Sequence, residues 1–398
     1  MKKKTKKWIW PLADLSWNTE LIVTEVTKVL RSGRVTMGAK VEEFEAAFAK
    51  MVGAKYAVMT NSGSSANLLA VAAINEVKED LRGTRVLVPA IAWSTTYSPL
   101  QQYGAELTVV DAEAGDVNVN MDLVEEELAL RQHSLVVGVS ILGYPAQVDA
   151  MRNLAVTHGA AFWEDNCESL GASINTKQLG TFGDVGTYST FFSHQLNTIE
   201  GGVLVTDDVL LADAARCMRA HGWTRDLLSK RKRLPAPGDY SFIMPGYNVR
   251  PTEIQAVIGL VQLKLFDEDK AQRQRNWDTF RHNFDAYPEA LMHDNFIGAP
   301  VPFGFILQAK DISARFRLIQ KLLDAGIECR MVTGGSFNQH PAAKYYPRFR
   351  RGDTPNADLL HHTGVFVGNH PRPLDEEFAA LEKVLNTYEK STKTRRKA

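Results

Sequence analysis

Between residues 85 and 165 short apolar runs alternate with amphipathic ones, and this rhythm limits the fold more than any other feature of the chain. Residues 85–88, 107–111, 135–141 and 161–164 read as strands. Residues 121–131 and 150–158 read as helices. Strand and helix in alternation predict an α/β fold with a mostly parallel sheet flanked by helices on both faces. In such sheets, chemistry collects beyond the carboxyl ends of the strands. Later, residues 303–308 and 327–331 read as strands around a helix over 311–325. That predicts a large domain over 1–275, with an N-terminal arm, and a smaller α/β domain over 276–398. In a helix following Gly38, Val41, Phe44, Phe48 and Met51 fall on one apolar face and read as core.

Composition narrows the class. The chain has 398 residues, 44% hydrophobic and 23% charged, with 46 basic and 46 acidic side chains. A zero net charge points to no nucleic-acid partner. The basic ends, Lys2-Lys3-Lys4 and Arg395-Arg396-Lys397, read as solvated termini. No apolar run approaches the roughly 18–20 residues of a membrane span, and no signal-peptide core is visible, so a cytoplasmic protein is expected. Cys167, Cys217 and Cys329 are scattered. They suggest neither a disulfide framework nor a zinc site, and no metal is expected. No repeat or low-complexity segment is present.

Four motifs carry chemistry. The first is Gly183-Asp184-Val185 through Glu200-Gly201-Gly202. Its apolar run 188–192 reads as a strand that delivers His194 to a loop at a sheet edge. The second, Thr60-Asn61-Ser62-Gly63-Ser64-Ser65-Ala66-Asn67, opens a helix over 68–74. Small residues at a helix start expose unpaired N–H groups at the positive end of the dipole, which suits a phosphate. An ordinary capped helix is the alternative reading. The third places Trp93 just after the strand over 85–88, and Asp165 with Glu168 just after the strand over 161–164. The fourth is Asn248-Val249-Arg250-Pro251-Thr252, in which Thr252 and Gln255 make a capping box for a helix running past Leu265.

Taken in order, these motifs resemble the DegT/DnrJ/StrS sugar aminotransferase family of pyridoxal-phosphate enzymes, with fold type I. The likeness runs from about residue 15 to 390. It implies that Gly63, Ser64, Ser65 and Ser189 hold the cofactor phosphate, that Trp93 stacks on its ring, and that Asp165 pairs with its ring nitrogen. Asn248 would reach the phosphate of a neighbouring subunit, making a homodimer with shared sites. His221, Arg225, Arg250, Ser336 and Asn338 match positions near the substrate. A basic run, Lys230-Arg231-Lys232-Arg233, reads as a solvated loop or a diphosphate contact.

Aminotransferases of the family usually carry lysine where this chain has His194, and glutamine where it has Glu168. Histidine and glutamate together resemble the family's dehydratase branch. A lysine amine bonds covalently to the cofactor aldehyde, whereas an imidazole does not but can still carry protons. Iron–sulfur members of that branch need a cysteine ligand set that three scattered cysteines supply poorly. Gln195 departs from the pattern, since the dehydratases without a cluster often have a second histidine there.

The resemblance implies a 3-dehydratase of a nucleotide-linked 4-keto-6-deoxyhexose in deoxysugar and lipopolysaccharide biosynthesis. It would use pyridoxal 5'-phosphate and pyridoxamine 5'-phosphate, with glutamate as amino donor. A nucleotide-sugar aminotransferase and a non-catalytic binding protein remain the alternatives.

Overall fold

The computed structural model describes residues 8–14, 17–227, 240–291, 297–346 and 352–394. Two helices come first, α1 (Thr19–Ser32) and α2 (Ala39–Val52). Each stops at a glycine in the left-handed region, Gly33 (φ 70°) and Gly53 (φ 84°), where a side chain would be strained. The chain then alternates through β1 (Tyr56–Thr60), α3 (Gly63–Val77), β2 (Arg85–Pro89), α4 (Ser94–Gln102), β3 (Glu106–Val110), α5 (Met121–Leu130), β4 (Leu135–Val139), α6 (Val148–Thr157) and β5 (Ala161–Asp165). A two-residue hairpin, β6 (Ser173–Ile174) and β7 (Lys177–Gln178), leads to β8 (Val185–Ser189), β9 (Gly202–Thr206) and α7 (Val209–Arg219).

The seven-stranded sheet has the order β1-β9-β8-β5-β4-β2-β3. Only β9 runs against its neighbours, so the sheet is mostly parallel, as the alternation predicts. Every residue of β4 and β8 is buried, as expected of strands covered on both faces. β8 lies inside this sheet between β9 and β5, so the loop carrying His194 is not at a lateral sheet edge. It lies beyond the carboxyl end of an interior strand.

Helices α8 (Glu253–Leu263) and α9 (Phe266–Phe284) follow. The capping box predicted at Thr252 and Gln255 is formed, but the single long helix is not, because the chain breaks at Lys264-Leu265. Then come β10 (Gly304–Gln308), α10 (Ile312–Asp324), β11 (Cys329–Arg330), α11 (Pro355–Thr363), β12 (Gly364–Gly368) and α12 (Asp375–Thr394). Their three strands form a second sheet, ordered β10-β12-β11.

One hydrophobic core joins the two sheets. Phe280 stacks on Phe305 at 4.5 Å, and Trp277 lies beside both. Trp10, fully buried, reaches this core from the start of the chain. It packs edge-on against Phe378 at 5.7 Å, and its indole N–H donates to the Gly368 carbonyl at 2.7 Å.

A buried ion cluster ties α2, β1 and α7 together. Glu45 on α2 accepts from Arg219 Nη1 at 2.6 Å, Arg216 Nη2 at 2.7 Å and the Met59 N–H at 2.8 Å. Both arginines also donate to carbonyls of β1.

Candidate active site

Five segments meet at the carboxyl edge of the large sheet, following β1, β2, β4, β5 and β8. Between them lies a cavity of about 340 Å³. The first segment is the turn into α3. That helix begins at Gly63, five residues before the expected start, because the Ser62 side chain caps it by accepting from the Ser65 N–H. Gly63 and Ser64 line the cavity together with Ser189 from the end of β8. A Cβ on Gly63 would lie 2.6 Å from Ser189 Cβ, so only glycine lets β8 come this close. The result is a small cup of helix N–H groups and serine hydroxyls, the donor set an anionic phosphate requires. Ser64 Oγ also pairs with Thr95 Oγ1 at 2.9 Å. Ser65 does not line the cavity; its hydroxyl donates to Asn61 at 2.6 Å and serves the cap.

The second feature is a flat slot. Trp93 precedes α4 and is 56% exposed at the cavity, an unusual place for a large aromatic without a ligand. Asp165 ends β5 and is buried. Its Oδ2 accepts from Asn67 Nδ2 at 2.8 Å and Thr96 Oγ1 at 2.7 Å, and its Oδ1 from the Cys167 N–H at 3.1 Å. Strand alternation turns the preceding Glu164 to the other face, where it accepts the Gly180 and Gly183 N–H groups at 2.7 Å. An aromatic platform, a fixed carboxylate and a phosphate cup together fit pyridoxal phosphate.

Two titratable groups in the cavity are pushed in opposite directions. Burial raises Glu168 to about 8, against the Leu142 N–H donated to its Oε2 at 2.8 Å; the Asp165 charge adds to the rise. Leu142 holds a strained φ of 53° in making that bond. His194 is partly exposed at the cavity wall, its ring stacked on Phe303 at 5.2 Å with Phe191 edge-on at 5.9 Å. Burial, then the Arg273 charge, lowers it to about 4. The imidazole is therefore proton-free at neutral pH and can act as a base.

The Glu168 shift makes a stability prediction. Its ordinary value is 4.5, so the folded protein holds a proton that the unfolded chain releases between there and about 8. Its contribution is fully present below the lower value and is lost as pH rises through the upper one. A Glu168→Gln variant should match the parent in thermal midpoint at about pH 4 and exceed it at about pH 9, as differential scanning calorimetry would read.

The remaining expected residues lie outside this cavity. His221, with φ 66°, and Asn248 are exposed on neighbouring segments joined by the Ala220–Asn248 bridge, and Arg250 donates to Asn248 Oδ1 at 3.0 Å. Arg225 sits over the Trp223 ring at 5.3 Å. Ser336 is fully buried and donates to Asp358 at 2.6 Å. Asn338 donates to Thr354 Oγ1 at 2.8 Å. The basic run 230–233 lies outside the described residues. Sequence reasoning passed over Asn67, Thr96 and Phe303. Asn67 did leave a signal, a polar residue within the apolar stretch of α3. Among the described residues no group of three or more His, Cys, Asp or Glu could hold a metal, and no helix is long and apolar enough to cross a membrane.

Known proteins share this architecture. Over 387 residues the chain is 38% identical to GDP-4-keto-6-deoxy-D-mannose 3-dehydratase of Yersinia pseudotuberculosis, covering 94% of this chain and 98% of that protein. A crystal structure of GDP-4-keto-6-deoxymannose-3-dehydratase, a histidine-to-asparagine mutant with bound GDP-perosamine, superposes with a TM-score of 0.89 at 38% identity. It covers 94% of this chain and 100% of that one. A second, with a trapped PLP–glutamate geminal diamine, gives 0.88 at 38% identity and the same coverage. The sequence pattern of the DegT/DnrJ/EryC1/StrS aminotransferase family matches residues 17–385, nearly the whole chain. The chain belongs to that family.

Proposed function

We propose that this protein is a pyridoxal-phosphate-dependent 3-dehydratase of a nucleotide-linked 4-keto-6-deoxyhexose, with His194 as its proton carrier. One observation carries the reading. The cavity has the cup, platform and carboxylate for the cofactor, and its lining holds His194 but no lysine among the described residues. A cofactor gripped there is not tethered by an amine. The 38% identical relatives favour GDP as the nucleotide and glutamate as amino donor.

When bound, the cofactor supplies an amine for the sugar's keto carbon and a ring that accepts electrons. Gly63, Ser64 and Ser189 would hold its phosphate, Trp93 its ring face and Asp165 its ring nitrogen. Glu168, protonated at neutral pH, stands beside them as a hydrogen-bond donor. His194 removes a proton near the ring and returns one to the departing 3-hydroxyl. Glutamate and the sugar nucleotide give 2-oxoglutarate, ammonia and a sugar lacking one oxygen.

Asn248 and His221 lie on the exterior of their own chain, which supports a homodimer in which each copy completes its neighbour's site. Glutamate and nucleotide sugars are cytoplasmic metabolites, and the enzyme is placed there.

The test is purified protein with pyridoxal phosphate, glutamate and GDP-4-keto-6-deoxymannose, products read by mass. Expected are a sugar nucleotide lacking one oxygen and an equal yield of ammonia; an amino sugar would overturn the reading. Trp93→Ala should weaken cofactor binding by about 0.5–1.5 kcal/mol, roughly two- to tenfold in Kd, with little change in thermal midpoint, as titration calorimetry would show.

A further inference from the structure

The wall behind His194 comes from residues 301–303, just before β10. The Phe303 ring stacks on the imidazole. All three carbonyls of this segment are engaged. Val301 accepts from Gln195 Nε2 at 3.0 Å, and Pro302 and Phe303 accept from Asn369 at 2.8 Å each. Asn369 is held in turn from α9. Its carbonyl accepts from Arg273 Nη1, its Nδ2 donates to the Arg273 carbonyl at 3.0 Å, and its Oδ1 accepts from Asn276 at 3.0 Å.

Arg273, Asn276 and Asn369 are 4%, 3% and 1% exposed. A buried guanidinium normally forks onto a carboxylate. Here the hydrogen bond goes to a carbonyl, and Arg273 Nε has no hydrogen-bond partner among the described residues. Burial lowers Arg273 to about 10, against the charge of Asp269 one turn earlier on α9. The other charged or titratable groups around His194 are Asp165, Cys167, Glu168 and Glu200 on the cavity and His370 beside Arg273.

We infer that Arg273 is a positioning residue for His194: through Asn369 it fixes the wall on which the imidazole stacks, and it sets a positive charge behind that wall. The inference rests on the dehydratase reading for its purpose. A base that must take a proton from one atom and give it to another needs to release it readily. A positive charge on the imidazole is opposed first by burial and then by the Arg273 charge, so the proton it gains is passed on. Arg273 touches neither the cavity nor the reacting atoms, and acts through Asn369, Phe303 and its field.

The test titrates His194 by NMR in protein with labelled histidine, assigned with His194→Asn. Arg273→Met should raise the His194 midpoint by about one pH unit, because the opposing charge is gone. The acid limb of the kcat/KM profile should move with it. Arg273→Lys keeps the charge and should leave both near their original place. Should the methionine variant fail to fold, Asp269→Asn decides, because it unmasks the arginine and should lower the midpoint. A folded Arg273→Met or Asp269→Asn variant with an unmoved midpoint overturns the inference. The NMR titration needs no substrate, so it stands or falls separately from the dehydratase assay.

Discussion

A His194→Lys variant should lose dehydration and acquire a visible absorbance band when pyridoxal phosphate is added. The lysine amine would arrive at the wall that now holds the imidazole. Burial in the cavity wall and the Arg273 charge both favour its neutral, reactive form, as they favour neutral histidine now. It would bond to the cofactor aldehyde and keep it through gel filtration, where the parent releases it. Loss of a positioned acid–base group costs about a hundredfold to ten-thousandfold in rate. Dehydration at the parent rate in this variant would remove His194 from the mechanism.

Glu45→Ala should cost about 3–5 kcal/mol of stability, the penalty for leaving buried charge without its partner. Glu45 is the carboxylate hydrogen-bonded to both Arg216 and Arg219, and Arg219 is only 2% exposed. Urea unfolding would read the loss. The double variant Glu45→Ala/Arg219→Met should recover part of it, because one orphaned charge goes with the arginine. A single variant as stable as the parent would show that the cluster contributes nothing.

The parallel sheet was legible because strands buried on both faces read as unbroken apolar runs between amphipathic helices. Boundaries failed where apolar character outlasts the strand. Phe191 and Phe192 extend the run of β8, but the strand stops at Ser189 and Thr190 turns to pair with Gly201 and Thr198. Phe192 ends 42% exposed and Phe191 flanks His194. The break at Lys264-Leu265 left no glycine or proline to mark it.

In the cavity, Gly63, Ser64, Trp93, Asp165, Glu168, Ser189 and His194 were legible through the family resemblance, and each lies at the carboxyl end of a strand or within a few residues of it. Phe303 and Arg273 were not. Each lies about a hundred residues from the residue it serves, Phe303 from His194 and Arg273 from Asn369, in pairings that only tertiary packing creates. Ser336 and Asn338 were matched by pattern, but partners on or before α11 claim their side chains.

Trp10 has a consequence for biosynthesis. Its neighbours Ile327, Phe305, Gly368 and Phe378 all belong to the last quarter of the polypeptide. As the protein emerges from the ribosome, this indole must wait, uncovered, until nearly everything else has been translated. The nascent chain thus carries an uncovered indole until those late partners are made, a natural handle for a chaperone.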